Sequence, residues 1–418
     1  MTGHVAALAS ALIARNFGGA DVLEIGGIPV TDLAAQHGTP LYVFDAALAR
    51  RSLHALHDAV DGFAEIYYSI KANPNPDVAR IFVGAGCGIE IASGNEFRAA
   101  IAAGCKSQDI LFAGPGKGEE ELAFTLSAGI GEIHAESFEE IAILGRLARA
   151  LARTVPVSLR INPIAAASGG AMRMGGKPAA FGFDEETLPD ALAALASQDG
   201  VRFSGVHLFA GTQILDAATL LAQWSHGLDV AARAADLSGQ ALHTIDLGGG
   251  LGIPYHGADH ALDLAAVKSG IAALAARKAA HPLLRDARVV LEPGRYLVGE
   301  AGMYLMRVRS VKLSRGQRFV VTDGGMHHHL AASGNLGQVI KKDFPIVAAE
   351  KLSAPAQDVA TLVGPLCTPL DTLGRQTALP ALAAGDLIAV LQSGAYGLTA
   401  SPNGFLSHPL PREIVLNG

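Results

Sequence analysis

Three short stretches hold residue types that could do covalent and anion chemistry. In YYSIKANPNP (67–76), Lys71 closes an apolar run and is followed at once by an Asn/Pro loop. In EPGR (292–295), Glu292 and Arg295 flank a Pro-Gly turn, and GGGLG (248–252) is glycine at all but one position. A lysine amine adds to a carbonyl once it is partly desolvated and its pKa falls. Glycines let backbone N–H groups close on an anion, and a helix start after them adds a favourable dipole. Arginine offers phosphate a charged fork. Each also has a plain structural reading. Lys71 would be a solvated loop residue, GGGLG a tight βα turn, Arg295 a surface ion pair, and Glu292 its buried partner.

The elements that must position these residues alternate. Apolar runs occur at AEIYYSIKA (64–72), CGIEIAS (87–93), DILFAGP (109–115), GEIHAES (131–137), PVSLRIN (156–162), FSGVHLF (203–209), HTIDLGGG (243–250) and RVVLEPG (288–294). Ala/Leu-rich helical patterns such as NEFRAAIAAG and FEEIAILGRLARALAR separate them. Turn-bounded apolar runs alternating with helices read as βα units on a parallel sheet. Eight such units fit a (β/α)8 TIM barrel; an open doubly wound sheet is the alternative. The carboxyl ends of barrel strands form the active face. There the sequence puts Lys71 after strand one, Arg160 and Asn162 on five, and His207 and Phe209 on six, followed by GTQ (211–213). The glycine turn follows strand seven and EPGR follows eight.

From about residue 303 the rhythm changes. MYLMRVRSVKLS, QRFVVTDGG, DVATLVGPLC and DLIAVLQSGAYG are β-rich with turns between them. The expected organisation is therefore α/β plus all-β. Residues 46–302 form the barrel, and 303–418 a sandwich- or barrel-like β domain. Residues 1–45, strand-like over 20–45, pack with that domain and complete it.

Composition limits the function classes. The 418 residues are 50% hydrophobic and 17% charged, enough for a large core and more than one domain. A net charge of −7 gives no basic surplus for nucleic acid. Three cysteines, Cys87, Cys105 and Cys367, suit a reduced cytoplasmic protein rather than a disulfide framework. The first residues, MTGHVAALASALIARNFGG, lack a basic start and read as an amphipathic helix rather than a signal peptide. No apolar run is long enough to span a membrane.

A lysine facing a phosphate-binding turn points to pyridoxal 5'-phosphate as cofactor. Lys71 would form a Schiff base with the aldehyde. Glu292 beside the pyridine nitrogen would keep it protonated, making the ring an electron sink for a carbanion at the substrate α-carbon. Decarboxylation uses such a sink.

The motifs GTPLYVFD, YYSIKAN, GIEIASGNEF, LRINP, FGFD, GVHLFAGTQ, IDLGGGLGIPY, EPGRYLV, VTDGGM, VGPLC and SGAYG stand in this order over about residues 22–416. In this set the chain resembles the fold-type III, alanine-racemase-like, pyridoxal-phosphate-dependent decarboxylases of diaminopimelate, ornithine and arginine. The resemblance implies residue roles. Lys71 would carry the cofactor and Glu292 would meet its pyridine nitrogen. Gly248, Gly249, Gly250, Arg295, Tyr396 and Thr212, the last in place of a serine, would hold the phosphate. Arg160 would lie near the lysine and the ring. Cys367 would come from the partner subunit of a homodimer with shared active sites, and would protonate the quinonoid carbon after CO2 leaves.

Departures from the family pattern bear on the substrate. Phe209 replaces a histidine; it can stack on the ring but cannot donate a hydrogen bond. Thr368 replaces the acid that follows the cysteine and meets the distal amine, which argues against free lysine, ornithine or meso-diaminopimelate. Asp371 aligns with a further family aspartate and is expected to compensate in part at the substrate, where Tyr396 also stands. Ala179–Ala180 replace a serine–lysine pair. These departures, with GGAMRMGG, DGGMHHH, GPLCTP and SGAYGLTASPNGFLSHP, resemble a subgroup. It contains the decarboxylase of a glutamyl group on an acyl-carrier protein and the decarboxylases encoded with exosortase systems. The implied substrate has an acylated or carrier-bound distal end, and an acyl-carrier protein becomes a candidate partner.

His327, His328 and His329 adjoin. Adjacent residues on a strand face opposite ways, so three cannot converge on one ion; the reading is no metal, with a place at the substrate entrance. Two other functions remain to be weighed. An amino-acid racemase of the same fold carries arginine at the pyridine nitrogen, against Glu292 and Cys367. A non-catalytic antizyme-like binder lacks the lysine or phosphate ligands, against Lys71, Arg295, Cys367 and Tyr396.

Overall fold

The computed structural model describes residues 2–164, 172–173, 178–209, 211–336 and 341–418. The GGAMRMGG motif therefore lies mostly outside the described residues. The chain forms two compact units. Leu53–Ile253 with Ala261–Gly294 make one; Met1–Ser52, Pro254–His260 and Arg295–Gly418 make the other.

The first unit is a closed parallel barrel. Its strands are β1 (Glu65–Ser69), β2 (Gly88–Ile91), β3 (Ile110–Phe112), β4 (Glu132–Ala135), β5 (Val155–Asn162), β6 (Val201–Leu208), β7 (Thr244–Asp246) and β8 (Arg288–Leu291). Each pairs in parallel with the next, and β8 pairs with β1 to close the ring. All eight strands expected from sequence are present, so the open-sheet alternative falls. The strands are buried on both faces because helices cover them outside, which is why their sequences run apolar instead of alternating.

Side-chain caps start the helices sharply at the strand ends. Ser93 accepts the N–H of Glu96 at 3.2 Å while the Glu96 carboxylate accepts the N–H of Ala92 at 2.6 Å. Ser137 and Glu140 repeat this reciprocal arrangement after β4, at 3.1 and 3.0 Å. Such caps stabilise by about 1 kcal/mol each and fix where the preceding loop points. On β6, Gly205 marks a register shift against β5, and a Cβ there would lie 1.7 Å from the Thr244 carbonyl oxygen.

The interior of the barrel holds a polar layer around Glu132. Its carboxylate accepts Ser204 Oγ at 2.9 Å, Thr244 Oγ1 at 2.7 Å, Arg288 Nη2 at 3.3 Å, and the Ser158 hydroxyl. Burial works to raise its pKa, but His134, Ser158 and Arg288 overcome this and hold it at about 2. A buried charge survives here because nearly every lone pair is used.

The second unit is built on the long strand Gly302–Ser314. It pairs antiparallel with Gln317–Thr322, Leu387–Val390 and Leu41–Asp45. Leu41–Asp45 pairs in turn, in parallel, with Arg412–Leu416. Gln317–Thr322 runs parallel to Asp358–Val363, which pairs with Thr372–Leu379. The N-terminal strand thus completes the C-terminal sheet. Helix Thr2–Asn16 buries Ala9 and Leu12 in a cluster with Leu41, Val43, Met303, Leu305 and Leu387.

Candidate active site

The barrel unit carries the lysine. Lys71 sits not on β1 itself but in the single 3-10 turn Ile70–Ala72 that follows it. Ile70 and Ala72 are buried, so the turn is anchored on both sides while the Lys71 side chain stays 42% exposed. Its Nζ lies 3.1 and 3.2 Å from the two oxygens of Glu90 on β2. Ser69 donates to the same carboxylate at 2.5 Å. Glu90 therefore fixes the direction of the amine. The Phe209 ring centroid is 6.0 Å from Nζ.

The glycine turn after β7 is locked to the loop after β8. Gly248 has φ +69° and donates its N–H to Asp246 Oδ1 at 2.8 Å. Its carbonyl accepts the N–H of Glu292 at 2.9 Å, and a Cβ on Gly249 would lie 2.3 Å from the Glu292 carbonyl oxygen. Gly250 has φ +89°. Close backbone approach alone therefore requires glycine here. Thr212 is half-buried on the short strand Gly211–Thr212.

The Glu292 carboxylate is 5% exposed or less, with Oε2 3.3 Å from His207 Nε2 and Oε1 without a hydrogen-bond partner. Arg160 reaches Glu136 at 2.7 Å and stacks over the Phe181 ring at 5.1 Å. These residues fit pyridoxal phosphate. There is a partly exposed amine, an aromatic ring beside it, and a buried carboxylate oxygen still lacking the donor that a pyridinium N–H supplies.

The second unit holds the remaining expected residues. Arg295 donates from Nη1 to the Tyr255 hydroxyl at 3.0 Å, and its guanidinium lies over the rings of Tyr396 at 4.7 Å and Tyr255 at 5.4 Å. Its Nε is buried without a partner. Tyr396 has φ +54°, a backbone region that costs an L-residue energy and marks a constrained position. Cys367 is exposed and Thr368 half-buried.

Asp371, expected at the substrate, has other work. It is 1% exposed, accepts the Met326 N–H at 2.6 Å and the Leu366 N–H at 2.9 Å, and a Cβ on Gly325 or Gly364 would collide with it. It clamps the DGGM and GPLC loops together. The three histidines also differ from expectation. They lie in a turn rather than on a strand, and all are 1% exposed or less, so they do not line an entrance. His328 bonds Tyr304 and the Pro409 carbonyl, each at 3.0 Å, and His329 bonds Ser393 at 3.0 Å.

Glu90, His134 and Tyr255 were missed from the sequence. Glu90 was legible as an acid inside the apolar run GIEIAS; for Tyr255 the signal was its place after the glycine turn in LGIPY.

The match to known proteins agrees with this geometry. Residues 47–299 match the family model described as pyridoxal-dependent decarboxylase, pyridoxal binding domain. The chain is 36% identical to the L-glutamyl-[BtrI acyl-carrier protein] decarboxylase of Niallia circulans, over 92% of this chain and 90% of that one. It is 32% identical to the diaminopimelate decarboxylase of Zymomonas mobilis, over 95% and 92%. The crystal structure of diaminopimelate decarboxylase from M. jannaschii with L-lysine superposes with TM-score 0.87 at 25% identity, covering 96% of this chain and 93% of that one. With the family matched over more than half its length and relatives above 30% identity along nearly all of it, the chain belongs to the pyridoxal-dependent decarboxylases and is a pyridoxal-phosphate-dependent amino-acid decarboxylase.

Proposed function

We propose that this enzyme removes the α-carboxyl group of an amino acid whose distal end is acylated or joined to an acyl-carrier protein, releasing CO2 and an amine. The observation that carries the proposal is the loop 364–371. Its one carboxylate, Asp371, is engaged by two backbone N–H groups, and the position after Cys367 holds Thr368. The loop thus offers no ready counter-charge for a distal ammonium, and burying one unpaired costs several kcal/mol. The 36% identity to a carrier-linked glutamyl decarboxylase supports the same substrate class.

Bound pyridoxal phosphate supplies the electron sink for the carbanion left by CO2. Lys71 is the amine that holds the aldehyde, with Glu90 directing Nζ. Glu292 would meet the pyridine nitrogen, and Phe209 would lie at the ring. Arg160 sits nearby, its charge met by Glu136. In the barrel unit, Gly248, Gly249, Gly250 and Thr212 would take the phosphate; in the second unit, Arg295 and Tyr396 carry the chemistry that the family pattern assigns to the same group. Cys367 delivers the proton to the α-carbon in the active site of a second copy. Its exposure beside Leu370, itself 50% exposed, supports a loop that reaches into a partner.

A panel assay tests the substrate. CO2 release is measured with free glutamate, lysine and meso-diaminopimelate, their acylated forms, and aminoacyl-carrier proteins. Acylated or carrier-linked substrates should exceed the free diamino acids by about 100-fold in kcat/KM, the discrimination expected when a charge has no partner. Free lysine or diaminopimelate as the best substrate would overturn the reading of Thr368.

A further inference from the structure

Inside the barrel, four titratable side chains meet: His134 of β4, His207 of β6, Asp246 of β7, and Glu292 just after β8. One nitrogen or oxygen of each lies within 4.8 Å of the others, and none of the four is more than 5% exposed. His207 Nε2 is 3.3 Å from Glu292 Oε2, and His134 Nε2 is 3.9 Å from Asp246 Oδ2. The two imidazole rings are 4.5 Å apart. Asp246 Oδ1 accepts the N–H of Gly248, but Asp246 Oδ2 and Glu292 Oε1 have no donor while both acids are ionised.

The charges that face this cluster pair off. Lys71 after β1 pairs with Glu90 of β2, Arg288 of β8 with Glu132 of β4, and Arg160 of β5 with Glu136 after β4. Farther along the same loop and helix, Lys117 pairs with Glu140. β3 (Ile110–Phe112) adds no titratable group. What remains is two carboxyls and two imidazoles close together in a buried interior, and beside neutral imidazoles the carboxyls cannot both stay charged.

We infer that Asp246 keeps a proton and shares it with the Glu292 carboxylate in a hydrogen bond, that His207 stays neutral with Nε2 toward that carboxylate, and that Glu292 thereby remains the anion that would meet the pyridine nitrogen. This rests on the reading that Glu292 meets that nitrogen. Asp246 and His207 are positioning residues, since each acts through Glu292. Burial and the neighbouring Glu292 push the Asp246 carboxyl well up. Burial works against the Glu292 charge; an ionised His207 would hold that carboxyl well down, and with His207 neutral its polar ring nitrogen and the Lys71 ammonium remain to favour the charge. Burial pushes His207 to about 4. The neutrality matters chemically. An imidazolium at His207 would cancel the Glu292 charge that keeps a pyridinium in place, whereas neutral donors orient the carboxylate and leave its charge intact. Through Gly248, the same aspartate ties the glycine turn to this acid.

Infrared spectroscopy of protein labelled with 13C-carboxyl aspartate reads the shared proton without cofactor. At pH 7.5 a protonated-carboxyl band should appear, shift with the label, and vanish in Asp246→Asn. The asparagine keeps an N–H donor to Glu292, so that variant should retain the bound cofactor's absorbance. Asp246→Val, with no donor, should raise the cofactor Kd about 10-fold. Histidine 15N chemical shifts should show His207 neutral at pH 5. Absence of a label-sensitive band, or a His207 resonance that titrates near pH 6.5, overturns the proposal. If Asp246→Asn does not fold, Asp371→Asn decides: a label-sensitive band that survives it supports Asp246, and one that vanishes overturns the proposal. Should Glu292→Gln leave cofactor affinity and absorbance unchanged, the role at the pyridine nitrogen falls, while the infrared band still decides the proton.

Discussion

Tyr255→Phe isolates one hydrogen bond behind the proposed phosphate ligand Arg295. The Tyr255 hydroxyl accepts from Arg295 Nη1 at 3.0 Å, while its ring lies 5.4 Å from the guanidinium. Phenylalanine keeps the ring and removes only the acceptor. A hydrogen bond to a charged group contributes about 1.5–3 kcal/mol. Arg295 is partly exposed, so water replaces some of that bond, and a net loss of about 1–2 kcal/mol is the better figure. If the oriented Arg295 grips the cofactor phosphate, that loss becomes a rise of about 5- to 30-fold in the cofactor Kd. The assay is titration of cofactor-free protein with pyridoxal phosphate, followed by absorbance. Arg295→Lys is the companion: it keeps the charge and loses the fork, and should weaken binding at least as much. A Tyr255→Phe Kd equal to that of the parent, with Arg295→Lys weakened, refutes the claim that Tyr255 orients the arginine. Parent affinity in both variants removes Arg295 from the phosphate site.

Three further outcomes follow from other sites. Asp371→Ala strands the Met326 and Leu366 N–H groups in the interior at about 1–3 kcal/mol each, and both amides should lose hydrogen-exchange protection; Asp371→Asn should expose only one of them, and unchanged protection would rule out the clamp. Thr368→Glu supplies a counter-charge for a distal ammonium and should raise kcat/KM for a free diamino acid about 10-fold, with no gain counting against the substrate assignment. Acid should unfold the protein steeply. Burial holds His207 and His327 at about 4 and His328 and His329 at about 3, so below about pH 6.5 the unfolded chain binds protons that the folded one refuses. Asp246 and Asp371, whose carboxyls are raised chiefly by burial, act in the opposite sense and offset part of this. Stability should then fall by about 3 kcal/mol per pH unit between pH 6 and 5, measured as a urea midpoint; a flat profile would sink the assignment of neutral buried histidines.

What the sequence made legible follows from the range of the interactions. The barrel was legible because its signal is local and repeated: eight apolar runs, each bounded by a turn and followed by a helical pattern. Lys71 stood out as a candidate because a charge at the end of an apolar strand is unusual in itself. Glu292 and Arg295 stood out as candidates because a short EPGR turn concentrates them. The residues that were missed or misread owe their roles to partners far away in the chain. Asp371 looks like any loop acid until the N–H groups of Met326 and Leu366 converge on it from two other loops. Strand periodicity failed for His327–His329 because the chain turns there, and their burial follows from contacts with Tyr304, Pro409 and Ser393. Asp246 sits in the motif IDLGGG as plainly as any acid can, yet its protonation depends on Glu292, whose backbone N–H bonds the carbonyl of Gly248 in that same motif. A protonation state is a property of a neighbourhood rather than of a residue: burial first, and then the neighbouring Glu292, push the Asp246 carboxyl well above where it would stand on a surface loop.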